Sequence, residues 1–101
     1  MLSLKKLLYK LTQRQIQRIT VDSATVTITA DSRSYVDIDT GLPNNAVIIS
    51  MEVANTPNTD WVRVLPMLGG ANLTTIRCRY HNEYSGPLTG KFSLRVAYYL
   101  A

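Results

Sequence analysis

The hydrophobic period of this chain changes once, near Ile19, and the change divides it into two unlike parts. Ahead of it, Leu4, Leu7, Leu8 and Leu11 recur at helical spacing, with Ser3 placed to cap the helix and no Gly or Pro to interrupt it. The spacing predicts an amphipathic helix from Ser3 to about Gln17. Its stripe fades after Leu11, because Arg14 and Arg18 fall where the next apolar residues belong and Ile16 and Ile19 lie off that line. The segment therefore offers at most about two heptads of coiled coil.

Beyond Ile19 the period is two. Val26 and Ile28 alternate with threonines, Val36 and Ile38 with Asp37 and Asp39, and Ile76, Cys78 and Tyr80 with Thr75, Arg77 and Arg79. Phe92, Leu94, Val96 and Tyr98 alternate with Lys91, Ser93, Arg95 and Ala97. Such alternation predicts half-buried strands. Ala46 to Val53 is apolar at nearly every position, which predicts a strand at the centre of the domain with Val47, Ile49, Met51 and Val53 on one face. Trp61 to Leu65 reads as a sixth strand whose inward face the pattern does not assign. Turn-forming stretches separate the runs: Asp31 to Arg33, Gly41 to Asn45, Asn55 to Asp60, Gly69 to Asn72 and Asn82 to Gly90. Six strands at this spacing predict a mainly β chain, a single antiparallel β-sandwich or jelly-roll-like domain over residues 20–101 behind an N-terminal helical segment over residues 1–19.

A chain of 101 residues has room for one such core and no second domain. Its formal charge of +4 suggests nucleic acid until it is divided: residues 1–19 carry +5 with no acid, and residues 20–101 carry six cations against seven anions. Arg77, Arg79 and Arg95 on outward faces near tyrosines do not outweigh that near-neutral balance, so nucleic acid is not an expected partner. Lys10 cuts the run Leu7-Leu8-Tyr9 short of a secretory signal, and no run approaches the ~18 apolar residues of a membrane span. Synthesis in the cytoplasm is the expectation, and a membrane is not an expected partner.

No catalytic constellation is expected. With a single histidine, a nucleophile and base must use His81, yet along one strand Cys78 and His81 face opposite ways. Asp37 and Asp39 share a strand face, but only Asp31, Asp60 and Glu83 are spare to complete a metal shell, so neither metal nor cofactor is expected. Gly69-Gly70 is an isolated pair, not a phosphate loop. The candidate binding residues are Tyr80, His81, Asn82, Glu83 and Tyr84, with Trp61 if it faces outward; aromatic and amide groups of this kind stack on and hydrogen-bond a sugar or a protein edge. Helices near the ~12–15 residue threshold are marginal alone in water. Leu4, Leu7, Leu8 and Leu11 thus require a partner surface: their own sheet, copies of themselves, a larger protein or lipid.

Several stretches together resemble a known family: Tyr35-Val36-Asp37-Ile38-Asp39-Thr40-Gly41, Val47 to Val53, Trp61-Val62-Arg63-Val64, Arg79-Tyr80-His81-Asn82-Glu83-Tyr84-Ser85-Gly86 and the terminal Leu94 to Tyr99. They are similar to small β-structured modules of tailed-bacteriophage virion proteins, found at fibre tips and on short head or tail fibres. The resemblance covers about residues 24–100. It implies a virion location after assembly in the host cytoplasm, and a homotrimer with a thin N-terminal anchor and a β-rich head. It also implies that Leu4, Leu7, Leu8 and Leu11 meet their equivalents in neighbouring subunits or another virion protein, that Lys5, Lys6 and Lys10 face solvent or capsid, and that the head contacts a host surface glycan. A stand-alone carbohydrate-binding module is the alternative.

Overall fold

The computed structural model describes residues 15–68 and 74–101. The leucine-bearing segment, with Leu4, Leu7, Leu8 and Leu11, lies outside the described residues. Among those described, the chain is mainly β and contains no helix: β1 (Gln17–Asp22), β2 (Val26–Ile28), β3 (Arg33–Asp39), β4 (Ala46–Asn55), β5 (Val62–Leu68), β6 (Thr75–Asn82), β7 (Leu88–Gly90) and β8 (Ser93–Leu100).

All pairings are antiparallel and form three sheets, ordered β1-β8-β4, β2-β7 and β3-β6-β5. The pairings are nested, since β1 meets β8, β2 meets β7 and β3 meets β6. Ser23 makes the joint where the β1–β8 ladder gives way to β2–β7. Its N–H donates to the Phe92 carbonyl at 2.8 Å, and its Oγ accepts from the Phe92 N–H at 2.9 Å. A small hydroxyl residue thus keeps two buried backbone groups satisfied where the strands bend.

One apolar cluster joins the sheets. Val21, Leu94 and Val96 come from the first, Ile28 from the second, and Ile38, Val62, Ile76 and Cys78 from the third, with Phe92 beside the joint. The alternation read from β2, β3, β6 and β8 is the one observed. Burying each large apolar side chain contributes about 1.5–3 kcal/mol, so the central strands β6 and β8, which supply Ile76, Leu94 and Val96, anchor the core.

Four features depart from expectation. Strand β1 begins at Gln17, so residues 17–19 belong to a sheet and not to the helical segment; Ile19 and Val21 face the core while Arg18 and Thr20 face out. Strand β7 forms inside the stretch read as a turn, because Leu88 packs on the core and Thr27 and Thr89 share a hydrogen bond of 2.8 Å. Strand β4 lies at the edge of its sheet and not at the centre. Its face is also split: a register shift between Ile48 and Ser50 adds a residue, so Ile48, Met51 and Val53 pack inward while Val47 and Ile49 stand exposed. A bulge of this kind reverses the phase of alternation. In a strand apolar on both faces, composition carries no signal of that phase.

Candidate ligand-binding face

The β5 pattern left Trp61 unassigned, and the turn before it decides the matter. Asn58 Oδ1 accepts from the N–H groups of Asp60 at 2.9 Å and Trp61 at 3.2 Å, an Asx-type turn that closes the β4–β5 connection. Val62 then points into the core and Trp61 outward, 44% exposed. The Glu83 N–H donates to the Trp61 carbonyl at 3.0 Å, which continues the β5–β6 ladder one step beyond Val62 and Asn82. Trp61 and Glu83 therefore share the outward face with Arg63 and His81.

Asn82 is the opposite case. It is fully buried, its Nδ2 donating to the carbonyls of Thr29 at 2.9 Å and Gly86 at 3.3 Å while Oδ1 accepts from the Tyr84 N–H at 2.9 Å. Its side chain ties the β2–β3 turn to the β6–β7 loop and is not available to a ligand. Asp31, at φ 47°, completes the tie by donating its N–H to the Tyr84 carbonyl at 3.0 Å. Tyr80 also turns inward and stacks on Phe92 with centroids 5.3 Å apart. Of the six residues singled out for binding, Trp61, His81, Glu83 and Tyr84 come together on the surface, whereas Tyr80 and Asn82 serve the core and the loop.

Tyr84 lies 5.5 Å from Trp61, tilted by 51°, so the two rings form a partly exposed corner. Beside it, Glu83 Oε1 stands 3.7 Å from His81 Nδ1 and 3.8 Å from Arg63 Nε.

The register extends this corner into three rows across the sheet: Arg33–His81–Arg63, Tyr35–Arg79–Leu65 and Asp37–Arg77–Met67. The first two rows and Arg77 line a shallow groove of about 550 Å³, and Asp37, Met67 and the Trp61–Tyr84 corner lie outside its lining. Arg77 grips Asp37 through Nε at 2.9 Å and Nη2 at 3.2 Å, and its guanidinium lies 3.9 Å from the Tyr35 ring centroid. That bond holds the Asp37 carboxyl below its ordinary range and raises Arg77. Arg33, Arg63, Leu65 and Arg79 were not anticipated as site residues. The usable signal was the run of outward positions Arg77, Arg79 and His81 on a single strand, which becomes a patch only when β3 and β5 are placed on either side.

The remaining candidates for chemistry are accounted for locally. Cys78 is buried in the core, and burial, with a smaller push from the Asp37 carboxylate, raises its thiol to about 11. His81 lies on the other face of the strand, so the two form no dyad. Asp39 Oδ1 accepts from the Gly41 N–H at 2.9 Å and shapes the turn after β3. Among the described residues no group of three or more His, Cys, Asp or Glu side chains could hold a metal ion. No known protein family, curated protein or solved structure matches the chain.

Proposed function

We propose that this chain is a structural subunit of a bacteriophage virion, a short head or tail fibre or a decoration protein. In this reading it presents a trimeric β head to its surroundings and catalyses nothing. The nested pairing of β1 with β8, β2 with β7 and β3 with β6 supports a jelly-roll-like sandwich as the head. The family resemblance supplies the virion setting.

The observation that carries the assembly reading is an apolar margin on the β1-β8-β4 sheet. Ile16 precedes β1, Leu100 ends β8, and Val47 and Ile49 belong to the first half of β4; all four stand exposed. The register brings the start of β1 and the start of β4 to the same end of β8. The leucine-bearing segment joins the sheet at this end. Apolar side chains that fail to enter the core of one chain are suited to cover a neighbour's. Leu4, Leu7, Leu8 and Leu11 act with them in self-association or in anchoring on another virion protein.

A second reading, the carbohydrate-binding module, is favoured by the Trp61–Tyr84 corner with His81 and Glu83 beside it. The two readings are compatible, since a fibre head can meet a host glycan, but only the first requires the leucines. The test is association with purified particles by the full chain and by a form lacking residues 1–15, which leaves β1 whole. Binding by the full chain and its loss on truncation are expected; a full chain that stays monomeric and off the particle contradicts the proposal.

A further inference from the structure

Divided by sequence, residues 20–101 are nearly neutral; divided by face, they are not. Four of their six cations, Arg33, Arg63, Arg77 and Arg79, stand on the outward side of the β3-β6-β5 sheet. Arg77 is already matched to Asp37. Arg79, one row away, has Tyr35 and Leu65 for cross-strand neighbours and no carboxylate partner among the described residues. The next row sets Arg33 and Arg63 about 10 Å apart on either side of His81, with Glu83 Oε1 3.8 Å from Arg63 and 3.7 Å from His81. An exposed sheet face gains nothing in folding from cations grouped this way.

We infer that this groove, together with the Trp61–Tyr84 corner beyond its end, binds a carboxylate-bearing oligosaccharide, with Arg79 as its main carboxylate receptor and the corner as the surface on which a sugar ring lies. The inference rests on the surface-contact part of the proposed function and adds the charge of the ligand. The Arg77–Asp37 pair shows the required geometry on the same strand: a two-point grip on a carboxylate by an outward arginine. Four residues along the strands separate the Arg79 row from the Trp61 position, about 13 Å, a span for a short oligomer rather than a single sugar.

Other polyanions fit less well. Single-stranded nucleic acid requires several free aromatic faces along a basic track; here Tyr35 has one face taken by Arg77. An acidic peptide would seek a sheet edge for backbone pairing, whereas this groove lies over β6, whose backbone is paired on both sides.

Calorimetric titration of the full chain tests the inference, with oligogalacturonate as acidic probe and a cello-oligosaccharide of equal length as neutral control. Oligogalacturonate is expected to bind at least about tenfold more tightly than the neutral probe, and Arg79→Ala to remove at least about that factor. Arg79→Lys should fall between, because it keeps the charge and loses the planar fork. Arg95→Ala, on the other sheet, should leave affinity unchanged. Arg79 is exposed, so an unchanged circular dichroism spectrum and Tm are expected and separate lost binding from lost folding. Equal binding of both saccharides, no saccharide binding at all, an unaffected Arg79→Ala, or tighter binding of polyglutamate or oligothymidylate overturns the inference. Particle association by the same Arg79→Ala protein shows independently whether the assembly reading stands.

Discussion

Asn82 closes β6 and Tyr84 lies two residues on, in the loop that follows, yet one is spent on architecture and the other on the surface. The contrast was not legible in the sequence, because Asn and Tyr suit a ligand and a turn equally. Only the three hydrogen bonds of the buried amide settle it. Asn82→Ala leaves two carbonyls and one N–H without their partner, which should cost about 1–3 kcal/mol in a urea melt. The same substitution should loosen the loop that holds Tyr84 against Trp61 and reduce the Trp61 fluorescence change on unfolding. Cys78 gives a second expectation at this scale. Its thiol stands at about 11 in the fold against an ordinary 9.0, so the unfolded chain releases the proton first. The contribution is fully present below about pH 9 and is lost as pH rises towards 11. The stability difference between wild type and Cys78→Ala, measured by denaturant melts across that range, should therefore narrow with rising pH. A constant difference would contradict the assigned burial.

Among the elements, strands with strict alternation were readable and those without it were not. Strands β2, β3, β6 and β8 alternate and were placed on the correct face; β4 is apolar on both faces, and its bulge after Ile48 escaped any period. The start of β1 was masked by Arg18, which breaks a helical stripe but suits the outward side of a strand. Strand β7 carries one large apolar residue, Leu88, between Pro87 and Gly90, so no alternation marks it, and it is fixed by tertiary contact. Gly90 shows that contact most sharply: a Cβ there would stand 2.9 Å from the Pro57 Cα, a backbone atom that cannot swing away. Gly90→Ala should force the β4–β5 loop off β7 and cost about 1–3 kcal/mol, read as a lower Tm. An unchanged Tm would mean that β7 and the loop are not packed as described. The cationic groove was also hidden at this scale, because Arg33, Arg63 and Arg79 come from three strands that are neighbours only in the register.

Taken as a whole molecule, the β domain presents two unlike surfaces. The β1-β8-β4 sheet has an apolar margin with Ile16, Val47, Ile49 and Leu100 where the leucine-bearing segment joins, and the β3-β6-β5 sheet has arginines, exposed aromatics and a groove, with Leu65, Met67 and Leu68 of β5 exposed as well. The division of charge seen in the sequence, a cationic leucine segment before a near-neutral remainder, thus acquires a second level, because the remainder is itself polarised by face. One surface is suited to fixing the chain in an assembly and the other to meeting a ligand. The most direct test is the amount of this chain in gradient-purified particles, for the full chain and for the form lacking residues 1–15. The full chain should be present in a multiple of three copies per particle, and the truncated form should keep its β spectrum while leaving the particle fraction. Particles free of the full chain, or equal retention of the truncated form, would contradict the account.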